Sequence, residues 1–254
     1  MSFTPLLASS RARGLLASLL AVSIAGPAWA APVCSVHSAA TITPVVELYT
    51  SEGCNSCPPA DKWLSSSVKA DAPVVALAFH VDYWDRLGWT DRFASPAFTR
   101  RQAEQMKSSG ARFSYTPQVL IDGADRPDWP AASITGRTRP AATVSAELTR
   151  DANRVTATVT PLPGAPARIA AFWAVTEQDY VSAVKAGENQ GVTLHHDFVV
   201  RDYRPVAAWA AKPAAATLQL DLPPASDPAH LRLVNLVITD ADTGRPVQAL
   251  KLGC

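Results

Sequence analysis

Residues 45–59 read VVELYTSEGCNSCPP and bring a β-branched, apolar run directly up to two cysteines, Cys54 and Cys57. The run predicts a buried strand, and the prolines that follow suit the first turn of a helix, where a backbone N–H has no intrahelical partner. Further along, residues 115–123 read YTPQVLIDG, which predicts a second strand just after Pro117 and an Asp-Gly turn at its end. The pattern therefore predicts a dithiol in the turn between a strand and the helix that follows it.

The segment between these motifs adds one more strand and one more helix. Residues 74–79 form a continuous apolar run, which is typical of an interior parallel strand. Ser95 and Pro96 are good residues for the start of a helix, which we predict to run to about Ser108. The order strand, helix, strand, helix, strand predicts an α/β N-terminal domain over residues 41–130.

The composition changes after a proline-containing boundary at residues 125–140. Short segments with alternating or β-branched character follow, separated by Pro, Gly, Asp and Asn, and this pattern predicts an all-β sandwich-like C-terminal domain over residues 141–254. The predicted strands are 141–148, 154–160, 168–176, 192–201, 216–222, 231–239 and 246–252.

The first thirty residues predict a signal peptide, residues 1–30. Arg11 and Arg13 supply a positive region, and the apolar stretch 14–25 is too short to span a bilayer. AWA at residues 28–30 is a small-x-small cleavage site. We therefore predict export to a periplasm or beyond, with no membrane span after cleavage, into a compartment where disulfides persist.

The overall charge argues against some classes of partner. The chain has 254 residues, of which 48% are hydrophobic, and a formal net charge of +1. Such a balance argues against nucleic acid or an anionic membrane as the main partner. We predict no bound cofactor; the expected partners are protein thiol or disulfide substrates and a redox partner. The oligomeric state stays open.

The dithiol suits disulfide exchange. A free cysteine has a thiol pKa of about 8.5. In the first cysteine of such a turn, backbone N–H groups and the helix dipole lower this pKa to roughly 3.5–7.5. Cys54 is the predicted nucleophile and Cys57 the resolving thiol. A bridge between them closes a very short loop and is a poor structural staple, which favours chemistry over an inert bridge. Glu52 is expected to face water.

The other two cysteines lie near the two ends of the mature chain. Chain termini are often close together in space, so we predict a structural disulfide between Cys34 and Cys254. Free or intermolecular thiols are the alternative.

Two further segments are candidates for binding substrate. A cis bond between Thr116 and Pro117 would place the Thr116 backbone beside Cys54, ready to pair with an extended substrate segment. A polar and aromatic stretch also follows the 74–79 strand and is predicted to form a substrate wall; the alternative is a loop whose aromatic residues pack on the core. Its candidate residues are His80, Asp82, Tyr83 and Trp84.

Several ionisable residues near the dithiol have competing interpretations. Cys54 and Cys57 with His80 as a third ligand would bind zinc or copper(I), which makes a metal-binding or copper-delivery module the alternative function. Asp82 is a candidate proton acceptor for the resolving cysteine. Adjacent residues of a strand point to opposite faces, so His195 and His196 form a poor chelate, and we predict an ordinary strand there.

Five short motifs together resemble an uncharacterised bacterial secreted family, the domain of unknown function 1223. They are SEGCNSCPPAD at 51–61, HVDYW at 80–84, YTPQ at 115–118, GEN at 187–189 and VVR at 199–201. The resemblance implies a thioredoxin-like first half with a β-rich extension, and a thiol–disulfide role in which Cys54 and Cys57 match the active cysteines and Pro117 the cis-proline. Gly53 stands where thioredoxin has Trp, and Asn55-Ser56 replaces Gly-Pro, so the direction of electron flow stays open.

Overall fold

The computed structural model describes residues 1, 2, 4, 34–109, 112–135, 138–212, 214–225 and 227–254. The predicted signal peptide, apart from three of its first four residues, and its cleavage site lie outside the described residues. Within the described part of the chain, no helix is both long enough and apolar enough to cross a membrane.

The described residues form two α-helices, α1 (Pro58–Ser67) and α2 (Pro96–Ser109), and two short 3₁₀ helices, Asp85–Leu87 and Trp129–Ala131. The strands are β1 (Cys34–His37), β2 (Val45–Thr50), β3 (Val75–His80), β4 (Gln118–Ile121), β5 (Ala124–Asp125), β6 (Val144–Asp151), β7 (Arg154–Pro161), β8 (Arg168–Glu177), β9 (Tyr180–Ala183), β10 (Thr193–His196), β11 (Val199–Ala210), β12 (Ala216–Asp221), β13 (Arg232–Asp240) and β14 (Pro246–Leu252).

Most strands belong to two sheets. The larger has eight strands in the order β14-β13-β8-β11-β3-β2-β4-β5, and β2 with β3 and β3 with β11 are its parallel pairs. The smaller is antiparallel with the order β1-β6-β7-β12, and β9 with β10 forms a separate two-stranded hairpin. Leu148 and Val155 of the smaller sheet share an apolar core with Trp173 and Leu236 of the larger one, so burial of apolar surface holds the two sheets together.

The predicted fold class, an α/β thioredoxin-like domain followed by a separate all-β sandwich, is wrong. The protein is mostly β-sheet, and the eight-stranded sheet contains strands from both halves of the sequence. The cause is the position of β3, which is buried along its whole length and therefore needs a hydrogen-bonded neighbour at each edge. One neighbour is β2, and the other is β11, whose Val199 pairs with Ala78. The residue ranges 41–130 and 141–254 stay predictions.

Many local elements are nevertheless confirmed. Helix α1 begins at Pro58, and β4 and β14 have the predicted bounds. The segment predicted as one strand at 192–201 is divided into β10 and β11, because Phe198 has a positive φ of 57° that interrupts the extended backbone.

A buried ion pair fixes α2 on the larger sheet. The Arg101 guanidinium donates to both carboxylate oxygens of Glu47 at 2.8 and 2.9 Å. It also lies over the ring of Phe172, 3.9 Å from its centroid. Burial raises the pKa of Tyr49, whose hydroxyl donates to Glu47 at 2.9 Å. Removing one partner of such a buried pair costs about 3–5 kcal/mol.

The topology brings three segments to one edge of the larger sheet. Strands β2 and β3 are parallel, so Thr50 and His80 at their carboxyl ends are paired neighbours. The turn that carries Cys54 and Cys57 follows β2 and leads into α1, and β10 lies against that helix. Groups that are far apart in sequence therefore meet around the dithiol.

Candidate functional site

Cys54 and Cys57 form a disulfide in the turn between β2 and α1. The Cys57 N–H donates to the Cys54 carbonyl at 3.2 Å, and Cys57 is the residue that precedes the first turn of α1. The positive end of the helix dipole is thus directed at the disulfide. Both cysteines have an exposed fraction of 0%, so a reacting thiol can reach them only if the turn or its cover moves.

Two hydroxyl groups contact Cys54. The Thr116 hydroxyl donates to the Cys54 sulfur at 3.3 Å, and the Ser56 hydroxyl lies at the same distance from that sulfur. The Trp84 indole N–H donates to the Thr116 hydroxyl at 2.8 Å. The Thr116–Pro117 peptide bond is cis. The structure therefore brings Thr116 and Trp84, two of the predicted site residues, together at the sulfur of Cys54.

The turn is held closed by a segment from the second half of the chain. The Asn189 side-chain amide donates to the carbonyl of Glu52 at 2.8 Å and to that of Cys54 at 3.0 Å. Glu188 accepts from the backbone N–H of Asn55 at 3.1 Å. Residues 187–189 are one of the five motifs that resemble the family, and the motif alone does not predict these contacts.

Gly53 allows Trp84 to approach the same turn. A Cβ at residue 53 would lie 3.1 Å from the Cβ of Trp84, a separation that requires the neighbour to shift. This close approach gives a physical reason for Gly53 at the position before Cys54.

Two further residues of the predicted substrate wall, Asp82 and Tyr83, contact α2. The Thr99 hydroxyl donates to the Asp82 carboxylate at 2.5 Å, and the Tyr83 hydroxyl donates to the Gln102 side-chain oxygen at 3.3 Å. These contacts anchor the loop on α2 and give Asp82 a partner other than the resolving cysteine.

A second polar group lies next to the turn and is almost wholly buried. His80 Nδ1 is 2.7 Å from Asp91 Oδ2, and neither side chain is exposed. His196 lies between two carboxylates, with Nε2 3.4 Å from Glu52 Oε1 and Nδ1 3.6 Å from Asp61 Oδ1. We call Glu52, Asp61, His80, Asp91 and His196 the histidine–carboxylate cluster. Among the described residues, His80 forms a group of possible metal ligands with Asp61 and His196, in which one donor atom from each lies within 4.8 Å of the others. The predicted combination of His80 with the two cysteines is not the one that the fold brings together in this part of the chain.

The expectation that Glu52 faces water is wrong. Its side chain is buried, and its carboxylate accepts from the Trp89 indole N–H at 2.7 Å. Burial raises the pKa of Glu52, but the contacts with His196 and Trp89 outweigh it and hold the pKa below its usual value. Glu52 is therefore a buried carboxylate two residues from Cys54.

Neighbouring charges also change the protonation of the cluster. Burial raises the pKa of Asp91, but His80 and two backbone N–H groups outweigh it and lower the pKa to about 2. Burial lowers the pKa of His196, but Asp61 and Glu52 outweigh it and raise the pKa to about 9. The cluster thus holds three carboxylates and two imidazoles without an ion pair to Lys or Arg in the described part of the chain.

Sequence reasoning missed Asp61, Asp91 and His196. Asp61 follows Cys57 by four residues, so one helical turn of α1 places both on the same face. The alternation predicted for the histidine pair is present, since His195 is exposed and His196 is buried. The same alternation that rules out a chelate between these two residues therefore directs His196 alone into the cluster.

A cavity of about 440 Å³ lies between α1 and β10. Its lining includes Asp61 and His196 of the cluster, together with Pro58, Lys62 and Leu194. The cluster is thus adjacent to a space that small molecules or ions can enter.

The remaining two cysteines also form a disulfide. Cys34 begins β1 and Cys254 follows β14, and the bridge between them spans a sequence separation of 220 residues. The bridge therefore ties the smaller sheet to the edge of the larger one.

The fold and site define a mostly β protein with a CxxC disulfide at the start of a helix. A family model described as "Protein of unknown function (DUF1223)" matches residues 45–238, and the chain belongs to this family. It is similar to the crystal structure of protein AGR_C_4864 from Agrobacterium tumefaciens, with 29% identity and a TM-score of 0.58 over 84% of this chain and 94% of that chain. No curated protein matches the chain.

Proposed function

We propose that this protein is a thiol–disulfide oxidoreductase that acts on protein substrates, with Cys54 as the nucleophile and Cys57 as the resolving thiol. The observation that carries the proposal is the pair of hydroxyls, from Thr116 and Ser56, at 3.3 Å from the Cys54 sulfur. Hydrogen bonds to the charged form of a group favour that form. The hydroxyls and the start of α1 therefore favour a Cys54 thiolate once the disulfide is reduced.

The proposed reaction transfers two electrons. In the reducing direction, the Cys54 thiolate attacks one sulfur of a substrate disulfide, a mixed disulfide forms, and the other substrate sulfur leaves as a thiolate. Cys57 loses its proton and attacks the Cys54 sulfur, which releases the second substrate thiolate and forms the Cys54–Cys57 disulfide. The substrate is reduced and the enzyme dithiol is oxidised; the oxidising direction reverses every step.

Exchange on a buried disulfide requires an opening step. The contacts of Asn189 with the carbonyls of Glu52 and Cys54 hold the turn closed, and Trp84 packs against Gly53. In the proposed cycle, displacement of these contacts exposes the Cys54 sulfur to substrate.

The proposed place of action is outside the cytoplasm, in a periplasm or beyond. Two disulfides are compatible with an exported protein, because such bonds persist in oxidising compartments. An exposed Phe113, three residues before Thr116, offers apolar surface to an extended segment of a substrate protein.

The test is disulfide exchange by single-cysteine variants. The reduced protein is mixed with glutathione disulfide, and its thiols are followed by alkylation and mass. Cys54→Ser is expected to lower the rate to the uncatalysed level, and Cys57→Ser to accumulate a mixed disulfide with glutathione on Cys54. The matched control is the double variant Cys34→Ser/Cys254→Ser, which should keep the wild-type rate.

Two outcomes contradict the proposal. One is a Cys54→Ser variant that exchanges as fast as the wild type. The other is a Cys57→Ser variant that circular dichroism shows to be folded but whose Cys54 thiol reacts no faster than free cysteine at neutral pH.

A further inference from the structure

Three residues of the histidine–carboxylate cluster direct donor atoms at one another. Asp61 comes from α1, His80 from β3 and His196 from β10. Each offers one donor atom, and the three atoms lie within 4.8 Å of one another. All three residues are buried, so the fold itself, and not a mobile surface, brings them together.

The donor atom of His80 is fixed by Asp91. The Asp91 carboxylate can only accept at 2.7 Å from Nδ1, so Nδ1 carries the hydrogen, and Nε2 is the ring nitrogen whose lone pair is available to a metal ion. Nε2 is buried and has no hydrogen-bond partner among the described residues. A buried lone pair without a partner is costly, and an ion at this place would satisfy it.

Asp61 is also held by a hydrogen bond, whereas both ring nitrogens of His196 lie near carboxylates without a hydrogen-bond partner among the described residues. The Thr50 hydroxyl donates to Asp61 Oδ2 at 2.8 Å, which leaves Oδ1 toward His196. The far nitrogen of His196 faces the Glu52 carboxylate at 3.4 Å. Histidines that bind metal almost always direct their other nitrogen at a carboxylate, carbonyl or water, and here both histidines have a carboxylate in that place.

The charge of the cluster also favours a cation. Glu52, Asp61 and Asp91 are three buried carboxylates, and in the described part of the chain their ion-pair partners are the imidazoles of His80 and His196, with no Lys or Arg. Buried charges are normally paired or coordinate metals. A dication bound by the neutral imidazoles would take the place of the proton on His196 and offset more of the negative charge of the three carboxylates. The cavity lined by Asp61 and His196 provides a route to this place.

We propose that Asp61, His80 and His196 bind one divalent transition-metal ion, with Asp91 and Glu52 as positioning residues for the two imidazoles. Two imidazole nitrogens and one carboxylate oxygen form a three-ligand set that leaves a position open for water or substrate. The site uses neither cysteine, so it does not depend on the proposed thiol–disulfide function.

The test uses Zn²⁺ as the probe, because sites made of imidazole and carboxylate ligands bind Zn²⁺ more tightly than most other divalent ions. The purified protein is stripped of metal with a chelator and titrated with Zn²⁺ in competition with a chromophoric chelator. We expect one equivalent to bind. Co²⁺ at the same site should give a tetrahedral or five-coordinate absorption spectrum without a thiolate-to-cobalt charge-transfer band.

Variants separate this site from others on the chain. His80→Ala and Asp61→Asn are each expected to abolish stoichiometric binding, and Asp91→Asn to weaken it roughly 10–100-fold. The matched control is His195→Ala, which removes the exposed histidine next to His196 and should bind as the wild type does. The double variant Cys54→Ala/Cys57→Ala should also keep its zinc.

Three results would overturn the inference. The first is a wild-type protein that binds no Zn²⁺ in the titration, as expected if a protonated His196 between Asp61 and Glu52 completes the cluster. The second is a folded His80→Ala variant with unchanged affinity. The third is loss of binding, or loss of the Co²⁺ spectrum, when the two cysteines of the turn are replaced.

Discussion

The two disulfides of this protein differ in nearly every property that decides what a disulfide does. Cys34–Cys254 joins residues separated by 220 positions, and Cys254 is exposed. Cys54–Cys57 joins residues separated by 3 positions, is buried, and has two hydroxyls at one of its sulfurs. The Cys34–Cys254 disulfide therefore restricts the unfolded chain, whereas the Cys54–Cys57 disulfide restricts it little and has groups beside it that suit a thiolate.

Removing each disulfide in turn should produce the largest difference between them. In the chain-entropy description, a bridge over about 220 residues contributes about 5 kcal/mol and one over about 4 residues about 2 kcal/mol. We expect Cys34→Ala/Cys254→Ala to lower the free energy of unfolding more than Cys54→Ala/Cys57→Ala does. Urea denaturation of both variants measures this, and equal losses would remove the structural contrast.

Removing the Asn189 side chain, which holds the Cys54–Cys57 turn in place, should have an intermediate effect. Asn189→Ala leaves the buried carbonyls of Glu52 and Cys54 without their donor, at a cost of about 1–3 kcal/mol. If this cost falls on the closed turn, dithiothreitol should reduce Cys54–Cys57 faster, about tenfold for each 1.4 kcal/mol.

The control for that variant is Gln190→Ala, whose side chain is exposed. Reduction is followed by quenched alkylation and mass. An Asn189→Ala variant that is reduced no faster than Gln190→Ala would mean that the Asn189 side chain does not control access to the Cys54–Cys57 disulfide.

Removing one hydroxyl from the Cys54 sulfur should have the smallest effect. Thr116→Val keeps the shape of the side chain and removes its donor, so the thiolate loses stabilisation and the pKa of the Cys54 thiol should rise by about one pH unit, equivalent to about 1.4 kcal/mol. The measurement is the pH dependence of alkylation in a Cys57→Ala background. The control Thr158→Val, on the exposed face of β7, should leave the pH profile unchanged. If the Thr116→Val profile is the same as that of the control, the Thr116 hydroxyl does not stabilise the Cys54 thiolate.

Local patterns in the sequence predicted individual elements well but not their assembly. The run that became β3 reads as an interior strand because all its residues are apolar up to His80, and that is where it lies. Its second neighbour is β11, more than a hundred residues later. Nothing in the pattern of either strand specifies this pairing, since an apolar strand is compatible with any buried neighbour.

In the candidate site, too, residues within motifs were predictable and contacts between distant segments were not. The CxxC turn, Thr116 and Trp84 could be named from motifs, because they lie in or beside recognisable segments. Glu52 and His196 could not be assigned to the site, because their positions depend on contacts between the turn after β2, α1 and β10 that only the folded chain creates. A charged residue in a turn is usually exposed, and here a tryptophan from another segment buries it.

The reduction potentials of both disulfides, measured in one sample, decide whether Cys54–Cys57 exchanges with substrates. The protein is equilibrated in glutathione and dithiothreitol buffers, alkylated and analysed by mass. We expect Cys54–Cys57 to equilibrate between about −270 and −120 mV, in the range of exchange proteins, while Cys34–Cys254 stays oxidised throughout that range. If Cys54–Cys57 instead stays oxidised below about −300 mV, as structural disulfides do, the claim that it exchanges with substrates is contradicted.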